Sequence, residues 1–260
     1  MGSLPKVVGQ TYHSWGKNEM EAIIVAGGLG VRLRPYTYTV PKPLIPIGGY
    51  SILEILLRQL KHYGFTRITL ALGYKSNIIR TTASEINSDL GLDLYFHEEV
   101  EPLGTVGAVK QIFKHRKPPP SFLVVNCDVL TVLHFARLYN YHLQRKPILT
   151  VGAVQREELM ELGVLTAGED GELIDLQEKP LFHFLAVMGC NVFSKEALDY
   201  IPNGKFDLDD LIYVLLKDKI LIQTFVFKGL WFDLGRADLL EQAEQTFQLS
   251  PETFLPDSIT

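Results

Sequence analysis

The pattern of apolar and polar positions divides the chain into short hydrophobic runs and longer segments with helical spacing. The first run, 22–25, predicts a buried strand that breaks at three glycines into a loop rich in proline and threonine. Ser51 and Glu54 then form a capping box ahead of helically spaced apolar residues, which predicts a helix over 51–63. Next come a predicted strand at 68–72, a helix at 77–86 and a strand at 92–97. This β-α-β alternation favours a parallel sheet with right-handed crossovers.

The second half continues the alternation and then becomes richer in strands. Thr105 is positioned to cap a helix over 105–114, a strand follows at 122–125, and helical spacing resumes over 133–144. Further strands are predicted at 148–154, 164–167, 173–177, 186–193 and 222–227, with helices near 197, over 208–216 and over 237–247. We therefore expect a Rossmann-like three-layer α/β fold with a mostly parallel central sheet and a smaller antiparallel portion.

Composition predicts one folded body. The chain has 260 residues and 47% hydrophobic content, which suits a single domain over 20–250, with a leader, tag or loose arm at 1–19 and a tail at 251–260. The net charge of -5 disfavours a binder of nucleic acid polymers. No apolar run of about 18 residues or secretion signal is present, and two cysteines cannot form a disulfide framework, so we predict a cytoplasmic protein without membrane contact.

The loop after the first strand has the character of an anion-binding site. Gly27, Gly28 and Gly30 allow backbone N–H groups to approach phosphate oxygens, and Arg32 and Lys42 add two positive charges to the same segment. Two cations at about 4 Å repel each other by roughly 4 kcal/mol at an effective dielectric near 20, unless an anion lies between them. A polyphosphate would relieve this repulsion, although a tight turn with solvated basic residues explains the glycines equally well.

The complete segment from Gly27 to Leu44 resembles a family signature. It matches every defined position of G-G-x-G-x-R-L-x-P-x-T-x-x-x-P-K-P-L, which is typical of sugar-1-phosphate nucleotidyltransferases, and the likeness extends over 20–247. The turn from Glu101 to Thr105 resembles the E-P-L-G-T element of mannose-1-phosphate and heptose-1-phosphate guanylyltransferases. The resemblance implies that Arg32 and Lys42 hold the triphosphate. It implies a nucleotide-binding set of Ala26, Gly27, Gly28, Gly30, Arg32, Lys42, Glu101, Gly104 and Thr105.

Two aspartates are candidate metal ligands. Asp128 follows an apolar strand, where a parallel sheet presents groups to a ligand crevice, although an N-cap or turn role is a common alternative. The family carries a magnesium ligand at this strand end within N-G-D, and Cys127 stands here in place of the glycine. By the same resemblance, Asp233 in a W-x-D-x-G segment completes the metal site. Mg²⁺ suits two carboxylates with phosphate oxygens and waters, so we expect it as the cofactor.

The sugar phosphate is assigned by resemblance to a second group of residues. Glu178 and Lys179 match the family's E-K-P element, in which the glutamate takes sugar hydroxyls and the lysine takes the phosphate; a surface ion pair is the alternative. Gly189 matches a glycine whose backbone lies against the sugar. Asn191 stands where many relatives have tyrosine, and Val187 where they have asparagine, so the identity of the sugar stays open.

These residues predict an enzyme with Arg32, Lys42 and Asp128 as catalytic groups. By the resemblance, we expect a sugar 1-phosphate to attack the α-phosphate of a nucleoside triphosphate, with GTP preferred, and pyrophosphate to leave. Two alternatives remain: the same reaction with CTP, dTTP or UTP, and a regulatory homologue that binds nucleotide sugars without turnover. A dehydrogenase is disfavoured because G-x-G-x-x-G and its acidic ribose ligand are absent from the sequence. The oligomeric state stays open, with a homo-oligomer as one alternative.

Overall fold

A computed structural model describes residues 20–255; the predicted leader at 1–19 and residues 256–260 of the predicted tail lie outside this range. The strands are β1 Met20–Ala26, β2 Pro46–Ile47, β3 Tyr50–Ser51, β4 Phe65–Leu72, β5 Asp93–Glu98, β6 Ser121–Asn126, β7 Val129–Thr131, β8 Leu149–Leu159, β9 Val164–Ala167, β10 Leu173–Gln177, β11 Leu181–Ser194, β12 Ile222–Phe227 and β13 Trp231–Asp233. The helices are α1 Tyr36–Thr39, α2 Ile52–His62, α3 Ser76–Leu90, α4 Gly104–Ile112, α5 Phe135–Arg145, α6 Leu208–Lys217, α7 Ala237–Leu249 and α8 Pro251–Phe254. Short 3-10 helices occur at Val31–Leu33, Lys42–Leu44 and Lys195–Tyr200.

A seven-stranded sheet in the order β12-β8-β11-β6-β1-β4-β5 forms the centre of the molecule. Its strands run parallel except β11, which is antiparallel to both β6 and β8. The chain builds outward from β1 to β4 and β5, then returns to place β6 on the other side of β1. This reversal creates a crevice at the carboxyl ends of β1 and β6, where open α/β sheets bind ligands.

Helices cover both faces of this sheet, so the predicted three-layer α/β fold is confirmed. Apolar side chains of α2, α3 and α5 pack on one face, and those of α4, α6 and the 3-10 helix Lys195–Tyr200 pack on the other. The predicted start of α2 is confirmed, since the Ser51 hydroxyl accepts a hydrogen bond of 3.1 Å from the backbone N–H of Glu54. No helix among residues 20–255 is long and apolar enough to cross a membrane.

The prediction that Thr105 caps α4 is wrong. The helix begins at Gly104. Its N-cap residue is Leu103, whose side chain accepts no capping hydrogen bond. Instead, the Oδ1 atom of Asp207 accepts a hydrogen bond of 2.9 Å from the Thr105 N–H. A residue 102 positions away therefore satisfies this helix end, which local sequence rules cannot anticipate.

Two strands are longer than predicted. The pattern placed the end of β8 at Val154 and the start of β11 at Ala186, but their pairing continues as far as Leu159 opposite Leu181. The predicted strands β9 and β10 pair with each other as a separate antiparallel hairpin. We refer to residues 155–187, which include this hairpin, as the arm.

The last elements pack around a small third core. β13 pairs with β7, and α7 and α8 close over this pair. Phe254 of α8 is fully buried and stacks on Phe247 with ring centroids 5.5 Å apart. Packing therefore extends to Leu255, five residues beyond the predicted domain boundary at 250.

Candidate active site

A cavity of about 310 Å³ opens at the carboxyl ends of β1 and β6, at the point where the strand order reverses. It brings together six of the residues that the sequence analysis selected: Gly28, Gly30, Arg32, Lys42, Thr105 and Asp128. Its other lining residues are Val25, Val31, Asn126, Cys127 and Gly235. The cavity therefore combines backbone N–H groups, two cations and one acid in a single crevice.

The glycine loop is held in shape by hydrogen bonds within itself. Thr37 donates from its hydroxyl to the Gly30 carbonyl at 2.8 Å, and the Leu33 N–H donates to the same oxygen at 3.0 Å. Leu33 is buried in the third core and anchors the loop, while Arg32 is exposed toward the cavity opening. Lys75 donates to the carbonyls of Tyr38 and Thr39 at 2.6 and 2.8 Å, which attaches α1 to the start of α3. Arg32 and Lys42 therefore extend from a segment that hydrogen bonds hold in a defined conformation.

Lys42 forms an ion pair with Asp128 inside the cavity. The Lys42 ammonium donates to Oδ2 of Asp128, with side-chain exposures of 11% and 20%. Burial strengthens the attraction, because fewer water molecules screen the two charges. The pair connects the glycine loop to the end of β6, so that a cation and an acid are held at the same strand end.

Asp233 is brought to Asp128 by strand pairing. Asp233 on β13 lies opposite Val129 on β7, and the Leu234 N–H donates to the Asp128 carbonyl at 2.9 Å. The Gly235 N–H donates to Asp233 Oδ1 at 3.0 Å. A side chain at Gly235 would place its Cβ 2.8 Å from Arg32 Nη2 and 2.9 Å from Asp233 Oδ1. Arg32 and Asp233 therefore converge on this glycine.

The donor set fits a hard cation. Among residues 20–255 no group of three or more His, Cys, Asp or Glu side chains forms a metal-binding cluster. Mg²⁺ is commonly held by one or two carboxylates, with phosphate oxygens and waters as the other ligands. Asp128 and Asp233 are consistent with that arrangement.

The cysteine that replaces the family's glycine is inert. Burial, and to a smaller extent the nearby Asp128 carboxylate, raise the pKa of the Cys127 thiol to about 12. Burial also raises the pKa of Cys190. Both thiols are free and buried, and they stay protonated at neutral pH. Cys127 therefore shapes the cavity wall as a small neutral side chain.

Glu99 is a candidate residue that the sequence analysis missed. It follows β5 and accepts a hydrogen bond of 3.0 Å from the Leu103 N–H. Its carboxylate lies so close to Gly27 that any side chain at position 27 would collide with it. Burial raises the pKa of Glu99, an effect opposed by the Leu103 N–H. The reasoning applied to Asp128, an acid just past the end of a parallel strand, would have found it. Glu101, which was predicted to bind nucleotide, is exposed.

The residues predicted for the sugar phosphate are more dispersed. Glu178 and Lys179 are exposed on the arm and do not line the cavity. Lys179 has a φ of 46° immediately before Pro180, a strained backbone of the kind that concentrates at functional sites. Gly189 has a φ of 74°, and a side chain there would meet Asn126 Nδ2 and Val129 Cγ2 at 3.0 Å. Asn191 is 1% exposed, and its Oδ1 has no hydrogen-bond partner among the described residues.

The remaining members of the predicted nucleotide set flank the cavity. Ala26 ends β1 and is buried. The Gly27 carbonyl lies so close to Gly73 that a Cβ at position 73 would be 2.6 Å from the carbonyl oxygen. Gly104 has a φ of 72° and opens α4 beside Asp207. These positions support the walls of the crevice.

Together, the doubly wound sheet, the cationic glycine loop and the Lys42–Asp128 ion pair define an α/β protein with a polar crevice at the point where the strand order reverses. The chain belongs to the nucleotidyl transferase family, whose model matches residues 21–249. The family resemblance found from the sequence is thereby confirmed.

Relatives and solved structures agree with this membership. The chain is 30% identical over 225 residues to mannose-1-phosphate guanyltransferase of Saccharomyces cerevisiae and 29% identical over the same length to that of Candida albicans. These alignments cover 84% of this chain and 62% and 61% of the two relatives, so the chain spans less than two thirds of their length. Crystal structures of HddC from Yersinia pseudotuberculosis, alone and complexed with GMP-PN, give TM-scores of 0.69 and 0.68 at 27% identity, covering 88% of this chain and 99% of HddC.

Proposed function

We propose that this chain transfers a guanylyl group from GTP to a hexose 1-phosphate of the mannose type, forming a GDP-sugar and pyrophosphate. The observation that carries the proposal is that Arg32, Lys42 and Asp128 line one cavity, at the point where the strand order of the sheet reverses. The relatives named mannose-1-phosphate guanyltransferase, and the HddC structure with GMP-PN, support this choice of base and sugar.

The reaction needs charge neutralisation more than proton transfer. An oxygen of the sugar phosphate attacks the α-phosphorus, the bond to the pyrophosphate oxygen breaks, and the leaving group departs in line. The attacking phosphate is already ionised near neutral pH, so no general base is required. Both substrates are anions, and catalysis therefore depends on holding them together and offsetting the charge that develops in the transition state.

Each cation has a distinct task in this proposal. Arg32 binds triphosphate oxygens at the cavity opening, and its planar fork suits two phosphate oxygens at once. Lys42 leaves its ion pair with Asp128 to meet the phosphate charge, and it offsets the charge on the departing pyrophosphate. The N–H groups at Gly28 and Gly30 add donors that carry no positive charge of their own.

Asp128 and Asp233 hold Mg²⁺ in this proposal. Both supply the hard oxygen ligands that the ion prefers, and strand pairing keeps them adjacent. When bound, the ion supplies positive charge to phosphate oxygens and screens their repulsion. Asp128 would then have the ion as its counter-charge, which would leave Lys42 available to the phosphate.

Glu99 selects the base in this proposal. Guanine presents two parallel donors, its N1–H and its exocyclic amine, which match the two oxygens of a carboxylate, whereas uracil and thymine present a single ring N–H. A carboxylate beside Gly27 therefore favours GTP by about one charged hydrogen bond, roughly 1.5–3 kcal/mol. For the sugar phosphate, Glu178, Lys179 and Gly189 remain the candidates, and the strained backbone of Lys179 supports its role.

A matrix of GTP, CTP, UTP, dTTP and ATP against mannose, glucose and heptose 1-phosphates, read by pyrophosphate release, tests the proposal. We expect turnover to be fastest with GTP, and with mannose 1-phosphate among the sugars. Faster turnover with another nucleotide would refute the choice of base while leaving the reaction class intact. Tight GTP binding without pyrophosphate release from any pair would instead favour the non-catalytic alternative.

A further inference from the structure

The arm exposes an unusual amount of apolar surface. None of its residues from Gln155 to Val187 is buried. Twelve large apolar side chains of the arm are between 38% and 71% exposed: Leu159, Met160, Leu162, Leu165, Leu173, Ile174, Leu176, Leu181, Phe182, Phe184, Leu185 and Val187. At roughly 80 Å² of exposed area each, they present on the order of 1,000 Å². These side chains are spread over both faces of the arm, and so much exposed apolar area on one segment is typical of a surface that a partner covers.

The projecting part of the arm is a ribbon with two free edges. In the described chain, β12 pairs with β8 only as far as Val154, and β6 pairs with β11 only from Cys190 onward. Between these limits β8 and β11 pair with each other alone, from Leu159 opposite Leu181 to Gln155 opposite Leu185. A two-stranded ribbon is marginally stable in water, and an exposed strand edge is a template for further pairing.

The free edge of β11 is self-complementary in sequence. Residues 181–185 read Leu-Phe-His-Phe-Leu, which is a palindrome centred on His183. In an antiparallel pair of two such segments related by a two-fold axis at His183, Leu181 lies opposite Leu185 and Phe182 opposite Phe184. At the positions beside the axis, leucine then meets leucine and phenylalanine meets phenylalanine, and aromatic pairs of this kind stabilise sheets by about 0.2–1 kcal/mol each. The pairing also satisfies the unpaired backbone groups of both edges.

The other free edge does not have this property. Residues 155–159 of β8 read Gln-Arg-Glu-Glu-Leu, and self-pairing about Glu157 would place the two glutamates directly opposite each other. Like charges in opposite positions destabilise an antiparallel pair. The choice between the two edges therefore favours β11.

We propose that this chain forms a two-fold symmetric dimer through antiparallel pairing of residues 181–185 with the same segment of a second copy. The two ribbons then join into one four-stranded sheet, β8-β11-β11-β8. A second copy is the occupant because the palindrome is complementary to itself, which is the defining property of an isologous interface. This inference does not depend on the proposed catalytic activity.

Cysteine cross-linking tests the register. In an antiparallel pair, opposite residues have Cα atoms about 4.5–5.5 Å apart, within the range that a disulfide spans. His183→Cys places the new thiol opposite its own equivalent, so we expect mild oxidation to give a covalent dimer of twice the 29.3 kDa chain mass. Leu185→Cys is the matched control, because its equivalents lie four residues apart along the strands, about 14 Å. The native cysteines at 127 and 190 are buried and do not interfere.

Charge exchange tests the interface independently. By the proposed register, F182K/F184K puts like charges opposite each other and F182K/F184E puts opposite charges together. We expect sedimentation velocity at micromolar concentrations to give a dimer for the native chain, at least a tenfold weaker dimer for F182K/F184K and a restored dimer for F182K/F184E. Leu216→Lys, at a residue 59% exposed on α6, should leave the mass unchanged. Circular dichroism melting verifies that each variant is folded.

The outcomes separate clearly. Cross-linking of the His183 variant without cross-linking of the Leu185 variant supports the register, and equal cross-linking of both, or of neither, overturns it. A native chain that stays monomeric at all concentrations up to about 100 µM overturns the dimer itself. A dimer that survives F182K/F184K assigns the interface to another surface and overturns the proposal. Equal dissociation of both folded double variants overturns the register alone.

Discussion

The ammonium of Lys42 and the carboxylate of Asp128 are in direct contact, although 86 positions separate the two residues in the chain. The contact joins the glycine loop to the end of β6, and both side chains are largely buried. Removing one partner of a buried pair leaves the other charge without compensation, so the pair holds the loop in a defined place. A phosphate and a divalent cation would each provide a replacement partner.

Lys42→Ala should reduce kcat/KM by at least about 100-fold, because one electrostatic contact to the transition state is lost. Arg32→Ala and Asp128→Ala should have effects of similar size. Pyrophosphate release under limiting GTP measures the change. Lys117→Ala, at an exposed lysine outside the cavity, is the control and should retain full activity. A purified, folded Lys42 variant with activity within about threefold of the native chain would contradict the assignment.

Asp233→Asn should raise the Mg²⁺ concentration needed for half-maximal activity by at least about tenfold, since an amide is a weaker ligand for a hard cation than a carboxylate. Mg²⁺ titration at saturating substrates measures the shift. Asp238→Asn removes an exposed acid that pairs with Arg236 and should leave the Mg²⁺ dependence unchanged. Equal shifts in both variants would indicate a general charge effect and not a ligand.

Gly28→Ala should impair nucleotide binding without affecting the fold. A Cβ at this position meets no protein atom within 4 Å, and its φ lies outside the left-handed region. The melting temperature should therefore stay within about 2 °C of the native value, and the KM for GTP should rise if phosphate approaches this backbone closely. An unchanged KM in the stable variant would show that the ligand does not approach Gly28.

Glu99→Gln should reduce the preference for GTP over UTP by at least about tenfold, because an amide cannot accept both guanine donors. In the native chain, the carboxylate form accepts these donors, and burial raises the pKa of Glu99 above its ordinary range. The KM for GTP should therefore begin to rise, as pH falls, at a higher pH than an exposed glutamate near 4.3 would cause. A larger loss of preference in Glu101→Gln would favour the residue chosen from the sequence instead.

His142 should make stability depend on pH. The ring is fully buried, with Nδ1 2.9 Å from the Thr150 hydroxyl and Nε2 3.1 Å from that of Ser194, and burial lowers the pKa of His142 to about 4. Below about pH 6.5 this histidine is protonated in the unfolded chain but stays neutral in the folded protein. The free energy of unfolding should therefore fall between pH 6.5 and 4, by about 3 kcal/mol in total. Denaturant unfolding across this range should give a flatter profile for His142→Gln, whereas His115→Gln, at an exposed histidine, should follow the native curve.

The sequence by itself was sufficient wherever the signal is local. The Ser51 N-cap, the alternation that predicts a parallel sheet, and the string from Gly27 to Leu44 each depend on residues that are close together in the chain and on backbone preferences. The predicted fold class and family membership followed from these features and are confirmed. The roles given to individual site residues stay predictions.

Tertiary structure decided which distant groups meet. The pairing of β7 with β13 brings Asp233 to Asp128, Asp207 takes the N–H of Thr105, and Glu99 reaches Gly27 across the sheet. None of these contacts has a local signature, because each depends on strand order and side-chain direction over long separations. The continuation of β8 and β11 into the arm was likewise hidden, since a ribbon exposed on both faces lacks the one-sided apolar alternation by which strands are recognised.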